Sequence, residues 1–328
     1  FTDFTMIDED AGVVHFHKVP STPHDPSEAI ATGIGQMLAD HGVPPSQVSH
    51  VGHGTTVATN LIIERKGARV GLITTRGFRD VLEIGRQTRP HLYDYSVGKP
   101  PVAVPREFRL EVDERVNAAG EVLTPLDDAQ VLAAARQFAA AGIEAVTICF
   151  LHAYRNPEHE RRAAQIVADA MPGVYISQSS DVLPEFREYE RLSTTVLNAA
   201  VGPKMARYLE RFLQRVRDLD IGHEPHTIHS NGGLMSIATV RQYPVRTCLS
   251  GPAAGVVGAA AVGRAIGSLN LVTFDVGGTS TDVSLVCDGR PLFTSHRHVA
   301  GYPVKTPMVD IHVIGAGGGS IAWLDDAG

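Results

Sequence analysis

Asp275–Asp282 reads DVGGTSTD, set between an apolar run at Asn270–Phe274 and another at Val283–Val286. A strand that enters Asp-Val-Gly-Gly-Thr and leaves again as a strand is a device for holding phosphate. Glycine lacks a Cβ, so the backbone at Gly277 and Gly278 can approach a ligand closely and turn its N–H groups onto phosphate oxygens. The hydroxyls of Thr279 and Thr281 add donors. Asp275, at the strand end, is placed to hold a magnesium-bound water, since magnesium keeps most of its waters and takes few carboxylates. Asp282 supports it from the return strand. An Asp-Gly-Gly triplet alone is a common hairpin turn. The complete motif between two strands is what carries the phosphate reading.

The start of the chain repeats this pattern. FTDFTMIDEDAGVVHFHKV (Phe1–Val19) lies over STDVSLVCDGRPLFTSHRHV (Ser280–Val299), with Thr2–Asp3 matching Thr281–Asp282 and Asp8–Gly12 as the first turn. Both read as strand, turn, strand. The repeat predicts two similar domains, each opening on a phosphate-gripping hairpin, with Thr2 and Asp3 on the first grip. Two such hairpins facing each other across a cleft is the arrangement of sugar kinases, actin and the heat-shock ATPases. The P-loop GxxxxGK[ST], a strand-linked GxGxxG, the kinase HRD and DFG pair, GxSxG and HExxH do not occur in the sequence.

Between the hairpins the chain alternates. Ser27–His41 has a helical period, and a strand begins at His50–Val51. Helix-like Thr55–Lys66 precedes the apolar run Val70–Thr74, and Asp127–Ala141 precedes Ala145–Phe150. Glu158–Ala170 is a further helix, followed by a strand at Val174–Ser177. Short apolar runs of this kind occupy the middle of a parallel sheet, and the alternation gives an α/β fold. Glu188–Leu219 is long and helical, interrupted by Gly202–Pro203, with Val201, Met205, Tyr208, Leu209, Phe212 and Val216 along one face. It reads as the bridge between two domains, residues 1–187 and 188–328.

Composition narrows the partners. The chain has 328 residues, 43% of them hydrophobic, enough for two ordinary domains. A net charge of −7 argues against nucleic acid or an anionic membrane as the main partner. No apolar run has the length of a membrane span. Cys149, Cys248 and Cys287 are scattered, which fits buried thiols in a reduced, cytoplasmic setting without a signal peptide. The opening at Phe1 and the end at Gly328 read as cuts through a longer protein.

Longer stretches resemble one family. VGHGTTVATNLIIERKGARVGLITTRGFRDVLEIGRQTRP (Val51–Pro90) is similar to the N-terminal domain of hydantoinase A. SNGGLMS (Ser230–Ser236), LSGPAAGVVGAA (Leu249–Ala260), FDVGGTSTDVSLV (Phe274–Val286) and DIHVIGAGGGSIAW (Asp310–Trp323) are similar to its second domain. The hydantoinase A/5-oxoprolinase family includes 5-oxoprolinase, N-methylhydantoinase and one subunit type of the acetone and acetophenone carboxylases. The resemblance implies ATP and magnesium as cofactors, a hydantoinase B-type partner subunit, an oligomeric assembly and a small cyclic amide as substrate. Of the family's first Asp-x-Gly-Gly-Thr motif only Phe1–Thr2–Asp3 stands in this sequence, and its later Gly-Gly-Ala-Gly-Pro stretch does not occur in it.

The fold expected is α/β, with two duplicated actin-like (ribonuclease H-like) ATPase domains around a nucleotide cleft, the second cut short. HGTT at His53–Thr56 follows a strand and opens a helix, with Thr55 or Thr56 as cap, and a helix N-terminus readily receives an anion or a carbonyl oxygen. A cap with a packed histidine would look the same. The resemblance favours function, with His53 and Thr55 as catalytic candidates beside Asp275. Asp310 and His312 alternate on a short strand, which puts both side chains on one face, and GAGGGS follows at Gly315–Ser320. Asp310, His312, Gly317 and Gly318 are the substrate-binding candidates, and Asp275, Asp310 and His312 the metal candidates. His223, His226 and His229 read as solvated, and His296 and His298 as structural. The activity implied is ATP-dependent opening of a hydantoin, 5-oxoproline or lactam. An ATP-dependent ketone carboxylase subunit, or an actin- or chaperone-like nucleotide switch, are the alternatives.

Overall fold

Val70–Thr75 and Ala145–Cys149 are mostly apolar, and both are buried on both faces as the two inner strands of a parallel sheet. The computed structural model that shows this describes residues 1–328 apart from 23, 90, 91, 95, 278–280, 322 and 324–328. Arg109–Val112 flanks Val70–Thr75, and Tyr175–Gln178 flanks Ala145–Cys149, all four strands running parallel. The helices Asp128–Ala140 and Glu158–Ala170 cover one face through Val131, Ala135, Phe138, Ala163 and Val167. Asp127 starts the first of these by accepting the Ala129 and Gln130 N–H groups. Leu192, Val196 and Ala199 of the helix Glu188–Asp218 cover the other face.

That long helix runs 31 residues without the expected break at Gly202–Pro203. A proline inside a helix removes one backbone bond and crowds the preceding turn. Here packing overrides that cost. A Cβ at Gly202 would lie 2.3 Å from the Tyr175 ring, so glycine is what lets the helix close on the sheet edge. The nearby Ala200 carbonyl accepts the Ala68 N–H at 2.7 Å, which pins the helix to the start of the strand Val70–Thr75. Gly202→Val should therefore lower unfolding stability by about 2 kcal/mol, the scale of overpacking in a close-packed core. Urea unfolding measures it, and a loss under about 0.5 kcal/mol, the ordinary range of surface substitutions, would show that the contact yields freely.

The same helix then enters a second core. Met205, Leu209, Phe212 and Val216 pack with Ile30 and Leu38 of the helix Pro26–Asp40 and with Ala58 and Ile62 of the helix Val57–Ile63. The strand expected from His50 is only Gly52–His53, and it pairs in parallel with His226–Ile228. The first and second halves of the chain therefore share a sheet as well as a helix.

The amino-terminal hairpin pairs Thr2–Asp8 with Val13–Val19 along its whole length, and Asp8 holds the turn by accepting the Asp10 and Ala11 N–H groups. The second hairpin pairs Leu271–Val276 with Thr281–Cys287. Beyond Cys287 the chain departs from the expected repeat. Only Arg290–Pro291 returns as a strand along Thr281–Cys287, and the Leu292 N–H makes one further bond to the Leu285 carbonyl. Ile311–Ile314 takes the rest of that edge, while Phe293–Thr294 and Arg297–Val299 pair elsewhere. The helix Ser250–Ala265 packs Ala253, Val256 and Ala260 beneath this sheet, against Val286, Val309 and Ile311. Cys149 and Cys248 are buried as expected, but Cys287 is exposed at the strand end. Among the described residues, no helix is long and apolar enough to cross a membrane.

Candidate functional site

Asp275 and Asp282 are direct partners across the second hairpin, so both carboxylates lie on one face. Burial pushes the Asp282 carboxyl up, and the Asp275 charge adds to that; Arg297 opposes both. Gly277 sits at the turn, and its carbonyl accepts the Gly318 N–H at 2.9 Å. The Thr281 hydroxyl donates to the Ala316 carbonyl at 2.7 Å, so it fastens the glycine run rather than facing outward. Gly317 and Ser320 close the run on itself, the Gly317 N–H donating to the Ser320 hydroxyl. Two glycine-rich stretches about forty residues apart in sequence are thus joined, through Gly277 and Thr281, into a lip. Gly278 and Thr279 lie outside the described residues.

Asp310 falls at the junction of Met308–Val309 and Ile311–Ile314 rather than within one strand. Its N–H donates to the Leu292 carbonyl and its carbonyl accepts the Ser284 hydroxyl, which fixes its place. Asp310 and His312 do line one cleft, of about 570 Å³, together with Thr59, His296, Arg297 and His298. Arg297 is the residue that sequence reasoning missed. Its Nη1 lies 3.7 Å from Asp310 Oδ1, its charge also acts on Asp282, and its side chain is only 16% exposed. His296 and His298, read as structural, border the cleft on either side of it. Nothing in the sequence singles Arg297 out within the consecutive basic residues His296–His298. Among the described residues, no three His, Cys, Asp or Glu side chains are placed to hold a metal ion, so Asp275, Asp310 and His312 are not gathered as a three-ligand set.

In HGTT, Thr55 is buried and His53 half-buried, while Gly54 and Thr56 are exposed. The His53 ring packs 4.8 Å from Phe212, and its Nε2 shares a hydrogen bond with the Tyr208 hydroxyl. Burial pushes its pKa down to about 4, away from the near-neutral value that the general-acid expectation required. Thr55 accepts the Val57 N–H and so caps the helix Val57–Ile63. The Ser250 hydroxyl donates to the Thr55 carbonyl at 2.9 Å, tying HGTT to the start of the helix Ser250–Ala265. Thr59, on the capped helix, accepts the Leu249 N–H and reaches the cleft wall.

The remaining candidates keep local company. Asp3 pairs with Lys18 at 2.9 Å and Thr2 with Ser21 at 3.0 Å, both exposed beside their own hairpin. Of the three histidines read as solvated, His223 is exposed, but His226 pairs in a strand and His229 accepts the Asn231 N–H. Burial, and secondly Arg246, push His229 down to about 4.

Comparison with known proteins gives the family. The hydantoinase/oxoprolinase N-terminal region matches residues 1–171, and the hydantoinase/oxoprolinase family matches residues 191–328. The chain belongs to the hydantoinase/oxoprolinase family. It is 39% identical to caprolactamase subunit alpha of Pseudomonas jessenii, over 100% of this chain and 48% of that protein. A solved structure of the ATP-dependent caprolactamase from the same species superimposes with a TM-score of 0.90 at 38% identity, covering 99% of this chain and 48% of that one. A nucleotide-free acetone carboxylase structure gives a TM-score of 0.87 at 30% identity, with the same coverage. The chain spans about half the length of these relatives.

Proposed function

We propose that this chain carries the nucleotide-handling part of an ATP-dependent enzyme that opens a small cyclic amide by phosphorylating its carbonyl oxygen. The observation that supports this most is the joined lip: the Asp275–Asp282 turn and the Gly315–Ser320 run are hydrogen-bonded together, and Asp310 and His312, beside that run, line a cleft of small-molecule size. Gly277 and Gly278 backbone N–H groups and the Thr279 hydroxyl grip the phosphates. Asp275 and Asp282 would hold magnesium, which offsets the phosphate charge when bound; paired carboxylates fit an ion that keeps most of its waters. Thr2 and Asp3 form the facing grip of a duplicated actin-like fold with domains 1–187 and 188–328. Asp310, His312 and the Gly317–Gly318 backbone hold the ring amide. His53 and Thr55 tie HGTT, through Tyr208, to the long helix Glu188–Asp218 and, through Ser250, to the start of the helix Ser250–Ala265.

An amide carbonyl is a poor electrophile. Transfer of the γ-phosphoryl group to its oxygen releases ADP and leaves an imidate phosphate. Water adds to that carbon, the ring C–N bond breaks to leave an acyl phosphate, and a second water releases phosphate. The N–H groups of the lip stabilise charge on the transferring group, and Arg297 lies beside it. A B-type partner subunit, in a cytoplasmic oligomer, completes the proposal. The likeness to acetone carboxylase favours a second reading, in which the acceptor is a ketone enolate oxygen.

The full-length protein with its partner subunit is to be assayed for phosphate release with hydantoin, 5-oxoproline, lactams, and ketones plus bicarbonate. A ring amide should raise release at least about tenfold, equivalent to about 1.4 kcal/mol. Stimulation by ketones alone would move the chain to the carboxylases, and no stimulation by any acceptor would sink both readings.

A further inference from the structure

The cleft beside the phosphate lip has a charge pattern that discriminates among ring amides. Ile63, Leu249, Val299, Ile311 and Val313 make part of its wall aliphatic. Among the described lining residues, the fixed charges are Arg297 and Asp310, opposite in sign and 3.7 Å apart. Asp282 acts on the same guanidinium from the phosphate hairpin. The one cation therefore already answers to two carboxylates. With Arg297 mostly buried, its attraction to them is less screened than it would be in water.

A substrate carboxylate entering this cleft must either displace Asp310 from Arg297 or lie near Asp310 and Asp282 without a free cation. An uncharged ring meets neither cost. Its amide can exchange hydrogen bonds with the imidazoles of His296, His298 and His312, and its methylenes can lie on the aliphatic wall. We infer that the cleft selects an uncharged lactam over a carboxylate-bearing ring such as 5-oxoproline, and that the Arg297–Asp310 pair sets this selectivity. The inference rests on the proposed reading of the cleft as the acceptor pocket.

The test compares kcat/KM for ε-caprolactam, δ-valerolactam and 5-oxoproline in the full-length protein with its partner subunit. The wild type should favour a lactam by about a hundredfold or more, and Asp310→Asn, which leaves the cation facing Asp282 alone, should shift that ratio at least about tenfold toward 5-oxoproline. Asp310 is more than half exposed, so the substitution leaves the fold in place. Arg297→Gln should move the ratio the other way, which a general loss of structure would not do. A wild type that prefers 5-oxoproline, or an Asp310→Asn ratio within threefold of wild type, overturns the inference while leaving ring-amide opening intact. Phosphate release that responds to none of the three rings overturns both.

Discussion

Asp275→Ala in the full-length protein should lower acceptor-dependent phosphate release by about a thousandfold or more while leaving the fold unchanged. A thousandfold corresponds to about 4 kcal/mol of transition-state stabilisation, the scale expected when an anchor for the transferring phosphoryl group is lost. The structural reason for separating the two effects is exposure. Asp275 lies on the open end of Leu271–Val276, so its removal leaves no buried group without a partner. Its loss also removes a like charge that pushes the Asp282 carboxyl up, so the hairpin gains rather than loses electrostatic stability. Asp275→Asn keeps the shape without the charge and should behave like the alanine variant. Phosphate release within about tenfold of wild type, with an unchanged melting temperature, would mean that the Asp275–Asp282 turn is not the phosphate grip.

The parts of the fold that were legible in sequence are those set by local pattern. Glu158–Ala170 is a helix over the residues its periodicity marks, and Val70–Thr75 and Ala145–Cys149 are buried strands because most of their side chains are apolar, with the Thr74 and Thr75 hydroxyls bonded within the protein. Pro203 misled because the local rule against proline is outweighed by contacts with Tyr175 and Ala68, neither of which is near in sequence. The second hairpin departed from its repeat for the same kind of reason, since Ile311–Ile314, which is not near in sequence, takes the edge along which the return strand would have run.

In the candidate site the same division holds. DVGGTSTD and GAGGGS could each be singled out by composition, but the bond from Gly318 to Gly277 is a tertiary fact. Arg297 carried no mark in sequence, since its meaning comes from Asp282 and Asp310, which lie on separate strands. HGTT was visible as a strand-to-helix junction, and Thr55 is its cap. The depth of His53 was not visible, because Tyr208 and Phe212 arrive from a helix about 155 residues further on.

The depth of His53 makes the fold sensitive to acid. The unfolded chain protonates a histidine near 6.5, whereas His53 in the fold takes a proton only near 4. Between those values the unfolded state binds more protons, so acid favours unfolding. The contribution of a neutral His53 is complete above about pH 6.5, falls as the pH drops, and is exhausted near pH 4. A gap of this size is worth about 3 kcal/mol. His229, also pushed down to about 4, adds a slope of the same sign, while the Glu160 carboxyl, pushed up by burial, works against both. The difference between two proteins isolates the one group. His53→Gln keeps a polar atom toward Tyr208 but cannot titrate, so its melting temperature should fall less between pH 7 and pH 4.5 than that of the wild type. Above pH 7 the variant should be the less stable of the two, because the packing against Phe212 is reduced. Parallel melting curves for the two proteins across that range would mean that the ring is open to water. His53 would then return to the cleft as a candidate for proton transfer.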